Sequence, residues 1–196
     1  MRDGSAQLVE SLNRAAGLIA SFKQVASDRN NSDLRPFDLG YLTEQVVTGL
    51  RPALPKHGVS LNVECQPGLS MSSYPGSYVQ VLNNLFLNSI AHAFPDDSQG
   101  SIDIKVSASG MNDFEIVFAD NGCGMTPDVR RQAFDPFFTT RRHQRCTGLG
   151  LHIVHSIVTD RLGGHLRLTS EPGKGTEVRI VLPRQAPDGK WSSPRV

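Results

Sequence analysis

Alternating apolar residues constrain the fold of this chain more than any other feature of its sequence. They occur in two pairs of short segments, residues 102–108 with 114–118 and residues 166–168 with 178–182. Alternation with a period of two is typical of a strand that buries one face, so each pair predicts an antiparallel hairpin. Two hairpins supply most of a sheet, and the buried face of that sheet needs a cover.

Segments with helical periodicity supply that cover. They span residues 39–50, 75–94 and 149–162, and Pro75 suits the first turn of the second helix. A further strand is predicted at residues 59–63. We therefore expect an α+β fold: a two-layer α/β sandwich with a mixed, mostly antiparallel sheet and helices on one face.

The two ends of the chain differ from this domain. Apolar residues between Leu8 and Ala26 recur at alternating steps of four and three, a heptad pattern that favours packing against another helix. The polar run SDRNNSD separates this segment from the rest. We expect one helix within residues 1–30 and a disordered tail over residues 184–196.

Charge and cysteine content restrict the class of function. Lys and Arg number 20 against 19 Asp and Glu, so the chain lacks the positive excess of a protein that binds nucleic acid through bulk charge. Its 3 cysteines lie far apart without CxxC pairing, which indicates a reducing compartment and excludes a disulfide framework. No apolar run approaches the ~18 residues that span a membrane. We expect a cytoplasmic location, with a membrane anchor elsewhere in a full-length protein left open.

A polar stripe runs along the helix predicted over residues 75–94. Asn84, Asn88 and His92 follow one another at intervals of four, so they share one face among apolar neighbours. A buried amide must be hydrogen-bonded or bind a ligand. Two satisfied asparagines are the simpler interpretation. The functional one is an oxygen ligand for Mg²⁺, which takes few protein ligands beside phosphate oxygens.

The segment DNGCGM, residues 120–125, directly follows a predicted strand. Asp120 can accept a hydrogen bond from an exocyclic amine. Gly122 and Gly124 give a tight turn with room for a flat ligand over bare backbone. Taken alone, such a segment is more often an ordinary turn.

The segment CTGLGL, residues 146–151, opens the third predicted helix. Glycine-rich backbone at a helix N-terminus offers N–H groups to an anion. No Gly-Lys-[Ser/Thr] follows, so it is not a Walker A loop, and a loop precedes it where a Rossmann fingerprint needs a parallel strand. That loop, residues 126–147, is long enough to indicate a function, and its arginines suit phosphate.

The order and spacing of these motifs are more specific than any one of them. Residues 37–183 resemble the ATP-binding catalytic domain of sensor histidine kinases, within the superfamily of gyrase B, heat-shock protein 90 and mismatch-repair ATPases. This resemblance implies that the predicted sandwich is of the Bergerat type. The matching stretches, for the N, G1, F and G2 boxes and the last motif, are QVLNNLFLNSIAHA, DNGCGM, FDPFFTT, TGLGLHIV and GKGTEVRIVLP. The FFTT and LGG sequences are most similar to nitrogen-regulatory and hybrid-type kinases.

The resemblance implies a site for Mg-ATP. Asn88 would coordinate Mg²⁺ and Asn84 would line the same site. Asp120 would accept from the adenine amine, with Thr176 assisting through water. Arg141, in a lid that includes Phe138, would contact the γ-phosphate. The catalytic residues implied are Asn84, Asn88 and Arg141, and the other ATP-binding residues are His92, Asp120, Gly122, Gly124, Phe138, Thr147, Gly148, Leu149, Gly150, Leu151 and Thr176.

The resemblance also implies transfer of the γ-phosphate to a histidine. None of the 6 histidines fits the family's acceptor pattern, so we expect the acceptor outside this sequence. It would lie on a dimerisation helix of the same full-length chain or of another protein, and the helix within residues 1–30 resembles the second helix of that hairpin. Further expected partners are a response-regulator receiver domain and, in the full-length protein, a second copy of the chain.

Departures from the family leave alternatives open. Ala91 stands where a lysine is frequent, and Cys146 replaces the first glycine of the G2 box. Both favour a non-enzymatic nucleotide-sensing module. A serine kinase of the anti-sigma type or a hydrolysing ATPase is a third interpretation. Asn84 counts against it, because the hydrolysing relatives carry a glutamate that acts on water at this position.

Overall fold

A computed structural model of the protein describes residues 33–54, 58–94, 99–140 and 147–188. Contacts divide the chain into two units, Met1–Asp33 and Leu34–Val196. The helix predicted within residues 1–30 lies outside the described residues, and the fold is that of the second unit.

Seven strands and four α-helices make up the described part of this unit. In chain order they are β1 (Arg35–Asp38), α1 (Leu39–Leu50), β2 (Val59–Cys65), β3 (Ser70–Ser73), α2 (Pro75–His92), β4 (Gly100–Ser109), β5 (Asp113–Asp120), α3 (Pro127–Gln132), α4 (Gly150–Ser156), β6 (His165–Ser170) and β7 (Thr176–Pro183). A 3₁₀ turn, Arg51–Ala53, follows α1, and a π-helical turn, Ile157–Arg161, continues α4.

The main sheet has five strands in the order β2-β4-β5-β7-β6. β2 runs parallel to β4 across the α2 crossover, and the other neighbours are antiparallel. Both predicted hairpins, β4–β5 and β6–β7, are therefore confirmed, as is the mixed sheet. The β5–β7 register places Asp120 opposite Thr176 at one end of the sheet.

The helices bury one face of this sheet, which confirms the predicted two-layer α/β sandwich. Asp38 caps α1 by accepting from Tyr41 N at 2.8 Å, and Pro75 occupies the first turn of α2. α2 packs against both α1 and α4. The alternating strand residues and the apolar helix faces meet in one core, whose largest fully buried members include Tyr78, Phe86, Phe114, Leu82, Ile102, Ile104, Ile116, Leu162, Ile180 and Leu182.

Two predicted boundaries differ from the structure. The helix predicted over residues 149–162 is α-helical only over Gly150–Ser156 before its π-helical turn. The segment 126–147, predicted as a loop, contains α3. Thr126 caps α3 by accepting from Val129 N at 3.4 Å, with Pro127 at its first position, so capping residues begin this helix without an apolar stripe.

A small ribbon lies apart from the main sheet. β1 and β3 pair antiparallel, with Pro36 opposite Ser72. Neither strand was expected, because RPFD contains a proline and SMSS lacks the β-branched residues that mark strands.

The prediction of a disordered tail is wrong for residues 184–188, while residues 189–196 lie outside the described part. Ser72 N donates to Arg184 O at 2.9 Å, and Ala186 N donates to Ser72 O at 2.9 Å. Tyr74 Oη donates to Pro187 O at 3.1 Å, and Ala186 is 8% exposed. Backbone groups of β3 thus bind the segment through hydrogen bonds. The sequence of the tail gives no indication of this pairing.

No helix in the described ranges has both the length and the apolar character needed to cross a membrane.

Candidate functional site

Asp120, the last residue of β5, forms the centre of the site. Its Oδ2 accepts from Ser89 Oγ at 2.8 Å, and its Oδ1 accepts from Gly122 N at 3.0 Å. Ser89 directly follows Asn88 in α2. The structure therefore brings the predicted residues of α2 and β5 to the same side of the sheet.

The electrostatics of Asp120 combine two opposing effects. Burial raises the pKa of its carboxyl group, whereas hydrogen bonds from Ser89, Gly122 and the Thr176 backbone lower it, and burial is the larger effect. The donors come from a helix, a turn and a neighbouring strand. They fix the orientation of a carboxylate that can still accept from a ligand amine.

Asn88 lies against the backbone of Gly150, the first residue of α4. A Cβ on Gly150 would come within 2.8 Å of Asn88 Oδ1 and 3.1 Å of its Nδ2. Among the described residues, the buried Asn88 Nδ2 has no hydrogen-bond partner. The explanation by two satisfied asparagines therefore does not hold for Asn88, because such an amide requires a partner.

Asn84, one turn earlier in α2, behaves differently. Its Nδ2 donates to Gln80 O at 2.9 Å within the same helix. The simpler interpretation thus accounts for its amide nitrogen, and only its oxygen is left for the role that the resemblance implies.

The donor set fits a magnesium ion that arrives with phosphates. The part of the chain that the structure describes holds no cluster of three or more His, Cys, Asp or Glu that could bind a metal by itself. Mg²⁺ keeps several waters and needs only one or two protein oxygens when phosphate oxygens complete its shell. The Oδ1 of Asn88 is an oxygen that fits this requirement, and its unpaired Nδ2 is a donor that suits a phosphate oxygen.

The glycines of the DNGCGM turn are required by packing within the protein. A Cβ on Gly122 would lie 2.4 Å from Ala93 O, and one on Gly124, whose φ is +66°, would lie 2.0 Å from Glu171 O. Cys123 N donates to Ala93 O at 2.9 Å. The turn is thus held between the end of α2 and the loop before β7. The approach of a base to this backbone stays a prediction.

The F and G2 boxes also pack together. A Cβ on Gly148 would lie 2.5 Å from Phe137 C and 2.7 Å from Phe138 O. His152 Nδ1 lies 3.2 Å from Phe134 O. Phe137 has a φ of 65° and is 63% exposed, whereas Phe138 is half-buried. Arg141 and Cys146 lie outside the described residues.

The remaining predicted residues border these contacts. The His92 carbonyl accepts from Cys123 Sγ at 3.2 Å, and Thr147 Oγ1 accepts from Leu149 N at 3.4 Å. Leu151 is half-buried and packs against the core. These residues lie in the segments that meet at the site, and their roles toward ATP stay predictions.

Two serines in the site have no counterpart among the predicted site residues. Ser89 donates to Asp120, and Ser170, the last residue of β6, contacts Met125 N, Gly175 O and Thr176 Oγ1. A serine carries no sequence signal that separates these roles from ordinary surface positions. Only the tertiary contacts identify them.

Comparison with known proteins finds one matching family model and several similar kinases. The family model described as "Histidine kinase-, DNA gyrase B-, and HSP90-like ATPase" matches residues 74–186. Sensor histidine kinase ZraS of Salmonella typhimurium is 39% identical over 109 residues, which are 56% of this chain and 22% of ZraS. Sensor kinase CckA of Brucella abortus is 32% identical over 192 residues, covering 89% of this chain and 20% of CckA.

A solved structure shares the fold. The catalytic domain of histidine kinase ThkA, in a nucleotide-free form, superposes with a TM-score of 0.68 at 24% identity, covering 78% of this chain and 97% of that domain. The chain spans about a fifth of the length of the two curated relatives.

Proposed function

Because the chain belongs to the histidine kinase-, DNA gyrase B- and HSP90-like ATPase family and holds the ATP-binding domain of a sensor histidine kinase, we propose that it binds Mg-ATP and transfers the γ-phosphate to a histidine. The acceptor would lie on a dimerisation helix outside this sequence. The observation that carries the proposal is the buried Nδ2 of Asn88, which has no hydrogen-bond partner within the described residues and lies in an amide set against Gly150.

Different residues of the proposed site contact the base and the phosphates of the nucleotide. Asp120, oriented by Ser89 and Gly122, accepts from the adenine amine. Asn88 would hold the magnesium ion, which would supply charge neutralisation at the phosphates. The backbone around Gly148 and Gly150 lines the phosphate end, and Arg141 is the proposed partner of the γ-phosphate. In the transfer, the bond between the γ-phosphorus and the β–γ bridging oxygen breaks, a phosphorus–nitrogen bond forms, and ADP leaves.

Asn84 favours transfer over hydrolysis. Its amide is neutral, and its nitrogen already donates to Gln80 O. An amide cannot take a proton from an attacking water, so this position supplies no general base. A histidine nitrogen attacks with its own lone pair and needs no such base.

The proposed partners follow from the same family membership. They are a histidine-bearing dimerisation helix, in the same full-length chain or in trans, and a response-regulator receiver domain. We also propose that the full-length protein is a homodimer and that this domain works in the cytoplasm.

Calorimetry of ATP binding with and without Mg²⁺ tests the site. We expect Asn88→Ala to remove the Mg²⁺-dependent part of the affinity. Asn62→Ala is the matched control, because Asn62 is exposed on β2 and donates to Asp103 at 2.9 Å. An unchanged Mg²⁺ dependence in Asn88→Ala would contradict the proposal.

Incubation with radiolabelled ATP and a separate histidine-bearing hairpin tests the transfer. An acid-labile, base-stable label on the hairpin is the expected result. Retained ATP binding without label would support the non-enzymatic nucleotide-sensing module, which Ala91 favours at the sequence level.

A further inference from the structure

Ser170 joins three segments of the site through one hydroxyl group. Its Oγ accepts from Met125 N at 2.9 Å, at the end of the DNGCGM turn. It donates to Gly175 O at 2.8 Å and lies 3.0 Å from Thr176 Oγ1. The residue is 4% exposed, so water does not compete for these contacts.

The numbers of protons and lone pairs on this hydroxyl determine which residue donates in the contact with Thr176. A serine hydroxyl has one proton and two lone pairs. The Gly175 carbonyl can only accept, so it takes the Ser170 proton, and Met125 N–H uses one lone pair. The contact with Thr176 must then use the second lone pair, and the Thr176 hydroxyl is the donor.

This direction decides what Thr176 can offer a ligand. With its only proton committed to Ser170, the Thr176 oxygen can act only as an acceptor. Thr176 pairs with Asp120 across β5 and β7, and its backbone N–H donates to the Asp120 carboxylate. The side chains at this point therefore present acceptors alone. In the pose where Asp120 accepts from the amine of adenine, guanine would place a carbonyl oxygen against these acceptors, so this pose favours adenine.

We propose that Ser170 is a positioning residue that fixes the Thr176 hydroxyl as an acceptor and thereby selects adenine over guanine nucleotides. The proposal rests on the proposed function, since it concerns the base of the same nucleotide. It adds a group that does not touch the ligand but sets the hydrogen-bonding polarity of one that faces it.

The test is the ratio of the GTP and ATP dissociation constants, measured by calorimetry on the full chain. In Ser170→Ala the Thr176 proton is free to turn toward the ligand, so the ratio should fall about fivefold, the worth of one net hydrogen bond. Ser170→Thr keeps the hydroxyl and should restore the ratio. Ser73→Ala is the matched control, because Ser73 is fully buried and, in the described part of the chain, its hydroxyl has no hydrogen-bond partner.

A double-mutant cycle separates positioning from general damage. In a Thr176→Val background, Ser170→Ala should leave the ratio unchanged, because the group through which it acts is absent. A ratio that still falls there, or one that stays constant in Ser170→Ala alone, overturns the role of Ser170. If thermal melts show that Ser170→Ala does not fold, Ser170→Cys serves in its place, since a thiol is a weak donor and acceptor.

The same measurements distinguish a failure of the proposed function from a failure of the role of Ser170. A parent chain that binds no ATP overturns the proposed function and this role with it. A parent that prefers ATP, together with a constant ratio in the Ser170 variants, overturns the positioning role alone.

Discussion

Asp120 is held by hydrogen bonds from Ser89, Gly122 and Thr176, yet burial still raises the pKa of its carboxyl group. Since the folded state binds this proton more tightly than the unfolded state, the stabilising contribution is present at low pH and is lost as the pH rises through the raised pKa. Above the raised pKa the ionised carboxylate therefore costs stability, a cost consistent with the proposed role of Asp120 toward a ligand.

Replacement of this carboxylate should separate stability from binding. In Asp120→Asn, the free energy of unfolding at pH 7 should equal or exceed that of the parent, and the advantage should shrink as the pH falls. ATP affinity should fall roughly tenfold, because an amide presents a donor to the adenine amine. Urea unfolding at several pH values and calorimetry check both parts. Lost stability at pH 7 together with unchanged affinity would contradict the assignment.

The two cysteines in the described ranges differ in environment. Burial, with the charges of Glu44 and Asp38, raises the pKa of the Cys65 thiol to about 11, whereas Cys123 is exposed. Because the thiolate is the reactive form, iodoacetamide at pH 8 should modify Cys123 well before Cys65. Peptide mass spectrometry over time gives the order. Bound Mg-ATP should slow the reaction at Cys123, and Cys65 serves as the internal control.

At the scale of elements, the first residue of α4 is fitted to α2. Gly150 carries no side chain where a Cβ would lie 2.8 Å from Asn88 Oδ1. A glycine at a helix start is otherwise a modest disadvantage, because alanine favours the helix. The contact with Asn88 explains why glycine occupies this position.

Gly150→Ala should therefore weaken Mg-ATP binding without lowering stability. The added methyl group displaces the Asn88 amide, and we expect roughly a tenfold loss of affinity, about 1.4 kcal/mol. Gly49→Ala is the matched control in α1, since a Cβ there meets nothing within 4 Å. It should gain about 0.5 to 1 kcal/mol of stability with unchanged binding. Equal affinities in the two variants would refute the fit between Gly150 and Asn88.

The elements that the sequence predicted are those with long periodic patterns. The alternation in β4, β5 and β7 and the apolar face of α2 arise from burial, so they are visible as periodic patterns in the sequence. β1, β3 and α3 lack this signal, because pairing or capping forms them and no apolar face is required. In the site, the motifs pointed to Asn88 and Asp120, whereas Ser89 and Ser170 are defined by contacts with distant segments.

At the scale of the whole molecule, residues 184–188 are part of the domain. Arg184 N donates to Asn112 O at 2.7 Å, and Ala186 pairs with Ser72. Tyr74, just before α2, donates to Pro187 O and stacks under Arg161 at 3.7 Å. The segment thus links β3, the β4–β5 turn and the start of the helix that carries Asn88.

Truncation after Pro183 should lower the free energy of unfolding by roughly 2 to 4 kcal/mol, from several lost hydrogen bonds and the exposure of Ala186 and Tyr74. A chain that ends at Asp188 keeps these contacts and is the control. Thermal and urea unfolding of both chains measure the difference. Equal midpoints for the two truncations would show that the segment contributes nothing.

The pairing around Ser72 has a mechanical consequence. Pro36, near the start of the domain, and Gln185, near the end of its described part, both flank this one residue of β3. A pulling force applied between residues 34 and 188 would load the short ladder of the ribbon and leave the five-stranded sheet relaxed. Tension would break the pairing at these attachment points first, and the residues around Asn88 and Asp120 would keep their arrangement while it breaks.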